Sequence, residues 1–200
     1  KSTNLSKTLD AVKAVKCLNK IDGVTITDNP LAKLKYSAIL ASVKAQNELK
    51  KPVICTVSMR DKNKLAMQSE LLGLNDFGVR AVLALTGDPA TLSDQPNVKG
   101  VFEGNSTQLL RVVRLFNEGV DFAGKAIEPK PSPMYAFSVT NSYSKSFANI
   151  KKKLYKKIEN HTTAIITQPV FDEDIALKLL DGFNEVRNEF DDERKDAKLI

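Results

Sequence analysis

The most chemically informative stretch of the sequence is an apolar run over residues 79–85 that breaks into Thr-Gly-Asp-Pro at residues 86–89. The length and β-branched content of the run predict a strand buried on both faces. The break places Asp88 at the carboxyl end of that strand, where parallel α/β sheets and barrels build their ligand sites. Gly87 would let a ligand approach the backbone closely. A plain turn, in which Asp88 only accepts hydrogen bonds from backbone amides, is the alternative on these residues alone.

The composition is that of an ordinary globular domain. The 200 residues include 30 basic and 24 acidic side chains and are 42% hydrophobic, which suits one domain over residues 1–200 with a full core. The net charge of +6 is compatible with an anionic cofactor and does not require a nucleic-acid partner. Two cysteines without a C-x-x-C pair and a single histidine favour neither a metal site nor a disulfide framework. The apolar runs are too short to cross a bilayer and no secretory leader is visible, so we expect a cytoplasmic protein without a membrane partner.

Periodicity along the chain predicts alternating helices and strands. Apolar residues at helical spacing from Leu5 to Leu18 predict an opening helix, and five strands follow, each leading into another amphipathic helix. The strands are expected at residues 23–27, 53–58, 79–85, 135–140 and 164–167. We expect Asn29 to cap the second helix, Asp61 to cap the third and Gly119 to end the fourth. The predicted apolar stripes include Leu31 on the second helix, Leu65 on the third, and Leu109, Val112, Val113 and Phe116 on the fourth.

This order of elements predicts an α/β fold with a parallel sheet and right-handed crossovers. An open doubly wound sheet and a (β/α)₈ TIM-type barrel both fit the pattern. A complete barrel usually takes about 250 residues, so we expect an incomplete barrel that lacks its first strand and its last units. No Gly-x-Gly-x-x-Gly follows any of the strands, which argues against a Rossmann-type dinucleotide site.

Four motifs stand in an order that resembles one enzyme family. They are Val-Thr-Ile-Thr-Asp-Asn-Pro at residues 24–30, Thr-Val-Ser-Met-Arg-Asp-Lys-Asn at 56–63, Gly-Val-Arg-Ala-Val-Leu-Ala-Leu-Thr-Gly-Asp-Pro at 78–89, and Ile-Thr-Gln-Pro-Val-Phe-Asp at 166–172. Together they resemble the methylenetetrahydrofolate reductase family of flavoprotein (β/α)₈ barrels, in the bacterial form that carries Thr-Gly-Asp-Pro. Each motif alone is weak, and their shared order is what makes the resemblance specific.

The resemblance implies a reaction and its substrate. FAD would take a hydride from NADH or NADPH and pass it to 5,10-methylenetetrahydrofolate, giving 5-methyltetrahydrofolate for one-carbon metabolism and methionine biosynthesis. Asp88 matches the family's aspartate at the flavin and pterin and is the implied catalytic residue, since a carboxylate there would stabilise the iminium cation of the opened folate. Gln168 matches the glutamine that binds folate, because an amide offers both a donor and an acceptor to a pterin edge. Its alternative is a strand-end glutamine bonded to a neighbouring loop.

The resemblance also implies flavin contacts at the strand ends. Thr27, Thr86 and Gly87 match positions that line the flavin, although each of them could also simply terminate a strand. Thr56 takes a position where several members carry a histidine near the flavin. The family's general acid is a glutamate on the first strand, and we expect that residue to lie before residue 1.

A run of lysines marks the fifth predicted helix. These residues are Lys151, Lys152, Lys153, Lys156 and Lys157, opposite an apolar stripe. A solvated outer face is the usual meaning of such a run. Lys157 nevertheless matches a family lysine that meets the FAD diphosphate, and Lys153 lies one turn earlier where a second contact is implied. A point charge on a flexible stem suits a phosphate.

Several alternatives stay open at this point. A folate- or corrinoid-handling methyltransferase module on a similar barrel would need no flavin. A basic nucleic-acid-binding domain is the weakest candidate, because few aromatic residues accompany the lysines. Arg60 and Asp61 form either a functional pair or a helix cap, and His161 is expected to be a turn residue. The sequence leaves a homo-oligomer or a partner subunit equally open.

Overall fold

The computed structural model describes residues 4–144 and 146–200, which form one sheet of six strands flanked by six α-helices. The strands are β1 (Val24–Ile26), β2 (Val53–Ser58), β3 (Ala81–Leu85), β4 (Tyr135–Thr140), β5 (Ala164–Thr167) and β6 (Lys198–Leu199). The helices are α1 (Ser6–Lys13), α2 (Ala38–Leu49), α3 (Lys64–Asp76), α4 (Ser106–Glu118), α5 (Phe147–Glu159) and α6 (Glu173–Arg187). The five predicted strands are therefore confirmed, and the sixth was not predicted.

The strands are hydrogen-bonded in their sequence order, β1 to β6, and every neighbouring pair is parallel. A doubly wound sheet would reverse its strand order near the middle, whereas a barrel adds each strand to the same side of the one before. The observed order therefore confirms the barrel type of α/β fold. Among the described residues, β1 and β6 lie at opposite edges and the sheet does not close on itself.

The helices pack apolar stripes against the sheet in two large clusters. One lies under α2, α3 and α4 and includes the fully buried Phe116 and Leu71, and the other lies between α5, α6 and β5 around Leu154 and Phe183. The stripes predicted for α4 and α5 are the faces that the structure buries. Gly119 ends α4 with a φ of 90°, as predicted. This packing fixes the strand ends that carry the polar motifs.

Two helix boundaries differ from the sequence-based expectation. Residues 30–32 form a separate 3₁₀ turn, and α2 begins only at Ala38, where the Ser37 hydroxyl accepts a hydrogen bond from the Leu40 amide at 3.4 Å. Leu31 was predicted to lie on the inner stripe of this helix, yet it is 53% exposed. The opening helix also ends at Lys13, before Leu18. In both places the apolar spacing continued past a turn that only tertiary contacts specify.

The cap and the buried face of α3 were also predicted wrongly. The Asn63 side chain, not that of Asp61, accepts the capping hydrogen bond from the Ala66 amide at 2.8 Å. Leu65 was expected on the inner stripe and is 73% exposed. The helix buries Met67, Leu71 and Leu74 instead. The error arises because the Asp61 carboxylate is already bound to Arg60, as described below.

Across the described residues 4–144 and 146–200, none of the helices has the length and apolar character needed to cross a membrane.

Candidate functional site

A cavity of about 600 Å³ opens at the carboxyl ends of the strands and is bordered by the loops that follow them. That volume lies within the range of pockets that hold small ligands and cofactors. Its lining includes all eight site residues predicted from the sequence: Thr27, Thr56, Thr86, Gly87, Asp88, Lys153, Lys157 and Gln168. Residues that lie up to 141 positions apart in the sequence thus meet at one place. The individual roles assigned to them stay predictions.

Asp88 follows β3 and is connected to a distant part of the chain. Its Oδ2 accepts a hydrogen bond from the Leu31 amide at 2.7 Å, in the loop after β1. Gly87 has a φ of 98°, and a Cβ at this position would lie 2.7 Å from the Cβ of Arg60. The Thr86 hydroxyl accepts a hydrogen bond from the Ser106 amide at 3.2 Å and so connects β3 to the start of α4. The carboxylate therefore bridges two loops and is not confined to a local turn.

Asp28, which was not singled out from the sequence, forms a second carboxylate in the cavity lining. Its side chain is 6% exposed. Its Oδ2 accepts hydrogen bonds from the Ser58 amide at 3.0 Å, the Ser58 hydroxyl at 3.1 Å and the Lys62 ammonium at 3.0 Å. Lys62 also lies 3.5 Å from the Glu70 carboxylate. Burial raises the pKa of Glu70, while this network holds Asp28 in place.

Arg60 lines the same cavity as Asp28 and Asp88 and is one of the largest buried side chains, at 2% exposed. Its guanidinium donates Nε–H and Nη2–H to the two oxygens of Asp61 at 2.8 and 2.6 Å, and Nη1–H to the Asn29 carbonyl at 3.2 Å. Hydrogen bonding to Arg60 holds the pKa of Asp61 below its usual range. The structure therefore shows Arg60 and Asp61 as an ion pair and excludes the cap, while a functional role for this pair stays a prediction.

Three lysines of α5 line the opposite side of the cavity: Lys153, Lys156 and Lys157. The Lys157 ammonium donates to the Val139 carbonyl of β4. Burial, together with the charge of Lys153, lowers the pKa of Lys157 to about 8. None of the three has a carboxylate within 4.0 Å in the described part of the chain, whereas Lys151 on the outer face pairs with Glu185. We call these three residues the lysine side, and Asp28 and Asp88 the carboxylate side.

Two polar residues of the lining, Thr56 and Gln168, differ in their hydrogen bonding. The Thr56 hydroxyl is buried and forms no hydrogen bond within the described residues. The backbone of Gln168 is engaged, since its amide donates to the Thr140 carbonyl at 3.1 Å and its carbonyl accepts from the Ser142 hydroxyl at 3.3 Å. Buried polar groups are normally satisfied, so an orphaned hydroxyl beside a cavity indicates a polar ligand.

The remaining candidate, His161, lies outside the cavity lining. It occupies a turn with a φ of 57°, and its Nδ1 is 3.2 Å from Oε1 of Glu193. This confirms its prediction as a turn residue. Asp28, Ser58 and Lys156 line the cavity without having been assigned to it from the sequence. For Asp28 the signal was present, because it directly follows Thr27 at a predicted strand end.

The residues of the cavity fit a dinucleotide flavin. Lysine ammonium groups without a carboxylate partner suit a diphosphate, and the orphaned Thr56 hydroxyl suits a polar ring edge. No group of three or more His, Cys, Asp or Glu residues that could hold a metal ion occurs in residues 4–144 and 146–200.

The strand order and the charged cavity at the strand ends define a barrel-type α/β protein with a site for a ligand of mixed charge. The family model for methylenetetrahydrofolate reductase matches residues 1–190. The chain therefore belongs to the methylenetetrahydrofolate reductase family, whose fold is the TIM barrel. A search among curated proteins gave no match. Membership implies an oxidoreductase that acts on methylenetetrahydrofolate.

Proposed function

We propose that the intact protein reduces 5,10-methylenetetrahydrofolate to 5-methyltetrahydrofolate, with NADH or NADPH as the electron donor and FAD as the bound cofactor. The observation that carries this proposal is the two-sided cavity, in which carboxylates face lysines across a space large enough for a cofactor. The family supports a folate substrate and flavin-dependent chemistry in general terms.

On the lysine side, the residues of α5 would hold the anionic part of the cofactor. Lys157 and Lys153 would contact its diphosphate, because an ammonium group without a carboxylate partner gains most from a phosphate charge. Thr27, Thr56, Thr86 and Gly87 would line the flavin ring at the strand ends. The orphaned Thr56 hydroxyl would then gain a hydrogen-bond partner.

On the carboxylate side, the residues would act on the folate. When bound, FAD would supply the two-electron chemistry that transfers a hydride from the nicotinamide to the folate. Opening of the folate ring creates an iminium cation, and a carboxylate held in place before the reaction stabilises such a charge without reorganisation. Asp88 is held by the Leu31 amide and is the residue we assign to this task. The side-chain amide of Gln168 would orient the pterin through its donor and acceptor.

The absorption spectrum of the intact protein tests this proposal. We expect purified protein, or protein reconstituted with FAD, to show flavin bands that bleach when NADH or NADPH is added anaerobically. Addition of methylenetetrahydrofolate should restore the bands and yield methyltetrahydrofolate. A protein that takes up folate but no flavin would overturn the proposal in favour of the methyltransferase alternative. A reduced flavoprotein that folate does not reoxidise would overturn it as well.

A further inference from the structure

Arg60 connects three of the loops that surround the cavity. Its guanidinium donates to the Asn29 carbonyl, after β1, at 3.2 Å. It also donates two hydrogen bonds to the Asp61 carboxylate, after β2, at 2.8 and 2.6 Å. Its own carbonyl accepts a hydrogen bond from the Val101 amide after β3 at 2.6 Å. Its Cβ also lies directly beneath Gly87, where there is no room for another Cβ. Through its side chain and its backbone carbonyl, one residue thus joins the loops that surround Asp88.

The loop after β1 has a backbone that needs such support. Asn29, Leu31 and Ala32 have φ values of 38°, 56° and 55°, in the left-handed region that residues other than glycine rarely adopt. Such a conformation costs free energy and persists only where surrounding contacts impose it. Within the turn, the Lys35 amide donates to Asn29 Oδ1 at 2.8 Å and the Lys33 amide donates to the Pro30 carbonyl at 3.2 Å. Two contacts join the turn to other loops: the Arg60 bond to the Asn29 carbonyl at 3.2 Å, and the bond from the Leu31 amide to Asp88 Oδ2 at 2.7 Å. The Arg60 bond thus supports the turn from another loop, next to the amide that binds Asp88.

We propose that Arg60 is a positioning residue for Asp88, acting through the turn at residues 29–32. By holding the Asn29 carbonyl, it presents the Leu31 amide to Oδ2 of Asp88. Oδ1 of Asp88 accepts no hydrogen bond within the described residues and is left for the substrate. The inference rests on the proposed function, because it assigns Arg60 to the folate step of that reaction.

The chemistry of the side chain explains why arginine is needed at this position. The planar guanidinium donates in two directions at once, to both Asp61 oxygens and to the Asn29 carbonyl. A lysine would keep the positive charge but lacks this rigid fork, so it would not hold both partners in one geometry. Arg60→Lys is therefore the informative variant, since it removes the planar arrangement of donors and keeps the positive charge.

A double-mutant cycle between Arg60→Lys and Asp88→Asn tests the proposal in the intact, flavin-loaded protein. Misplacing a catalytic group by about 1 Å can cost about 100-fold in rate, so we expect Arg60→Lys to slow folate reduction about 10- to 100-fold. The nicotinamide step should change little. In the Asp88→Asn background the same substitution should cost no more than about twofold, since a positioning residue has no effect without the group it positions. Equal losses in both backgrounds, or equal slowing of both steps, would overturn the proposal.

Two further variants support the cycle. Asp61→Asn weakens the hydrogen bonds to the Arg60 guanidinium with little change of side-chain shape. It should also slow the folate step, but by less than Arg60→Lys does. It keeps the test decisive if Arg60→Lys does not fold, because an unchanged folate step in Asp61→Asn would then contradict the proposal. Arg114→Lys is the matched control, since Arg114 pairs with Glu118 on α4 at 3.2 Å, outside the cavity lining. It should leave both steps unchanged.

The Leu31 amide provides a readout that does not depend on activity. In NMR spectra of the protein without folate, its proton shift should change in Asp88→Asn, where a neutral acceptor replaces the carboxylate, and its hydrogen exchange should accelerate at least about tenfold in Arg60→Lys. If this behaviour is found in a protein that does not reduce folate, the proposed function fails and the positioning role stands. If folate is reduced but the Leu31 amide responds to neither change, the positioning role fails alone.

Discussion

The two sides of the cavity are built in opposite ways. On the carboxylate side, Asp28 and Asp88 are held by hydrogen bonds that reach across the loops after β1, β2 and β3, with donors such as the Ser58 and Leu31 amides. On the lysine side, all three cations project from α5, and within residues 4–144 and 146–200 only the Lys157 ammonium has an anchoring hydrogen bond, to the Val139 carbonyl. The carboxylate side is held by hydrogen bonds between loops, whereas the lysine side consists of long side chains on one helix.

This difference corresponds to two different physical tasks. Stabilising a charge that develops during a reaction requires groups that are already in position, because reorganisation would consume the benefit. Holding a diphosphate requires charge within reach, and a flexible ammonium group meets that need in several geometries. We therefore expect changes on the carboxylate side to reduce the rate of the folate step, and changes on the lysine side to reduce cofactor affinity.

The largest expected effect comes from Asp88→Asn. The asparagine keeps the shape and an acceptor for the Leu31 amide but removes the negative charge. Loss of one electrostatic contribution of this kind typically lowers a rate by about 10²–10³, and we expect that loss in the reoxidation of reduced enzyme by folate. Rapid-mixing absorbance measures it. Asp181→Asn on the exposed part of α6 is the control, and a folate step as fast in Asp88→Asn as in that control would remove Asp88 from the mechanism.

Gly87→Ala tests the rigidity of the carboxylate side. The alanine would have to adopt a backbone φ of 98°, and its Cβ would lie 2.7 Å from the Cβ of Arg60. We expect it to lower the free energy of unfolding by about 2 kcal/mol or more, measured by urea denaturation. Gly124→Ala separates the two causes, because Gly124 also has a positive φ of 80° but no atom within 4 Å of the added Cβ. If both variants lose the same stability, close packing against Arg60 is not the reason.

The sequence was sufficient to predict the strand ends of the cavity. The apolar run before Asp88 and the break after it place the carboxylate correctly, because burial and turn formation there are local properties. Gln168 after β5 and Lys157 on α5 were also placed correctly on their elements, and the structure brings both into the cavity lining. The alternation of elements predicts the parallel sheet, but it does not decide the strand order, because a doubly wound sheet fits the same alternation.

The sequence was not sufficient where a side chain had two possible partners. Asp61 has the residue type and position of a helix cap, but it binds Arg60, and Asn63 caps α3 instead. The turn at residues 29–32 depends on Arg60 and Asp88, which lie 31 and 57 residues away from their partners in that turn. Such long-range contacts leave no periodic signal in the sequence.

On the lysine side, Lys157→Ala should weaken FAD binding by about tenfold, equivalent to about 1.4 kcal/mol. Lys151→Ala should have almost no effect, since Lys151 pairs with Glu185 outside the cavity lining. The loss should shrink at high salt, as expected for a charge contact. Fluorescence titration with FAD at two ionic strengths measures both properties. Equal affinities in the two variants would mean that α5 presents only a solvated face.

The smallest expected effect is a pH dependence of cofactor affinity. Burial lowers the pKa of Lys157 to about 8, so in the flavin-free protein this side chain loses its charge as the pH rises through that value. Binding of an anion favours the charged form, and FAD affinity should therefore fall severalfold between about pH 7 and 9.5. In Lys157→Met the fall should be much smaller, whereas Lys152→Met should retain it. The same titration at several pH values distinguishes these outcomes, and an identical pH dependence in both variants would contradict the role of Lys157.

The division of tasks between the two sides is tested most directly by stopped-flow measurement of both half-reactions in Asp88→Asn and Lys157→Ala. Each variant is first saturated with FAD, so that differences in cofactor affinity no longer contribute. We predict that Asp88→Asn slows the folate step by at least about 100-fold and the nicotinamide step far less, while Lys157→Ala leaves both steps close to the unmodified protein. If saturated Lys157→Ala loses the folate step as severely as Asp88→Asn does, or if Asp88→Asn slows both steps equally, the two sides do not have separate tasks.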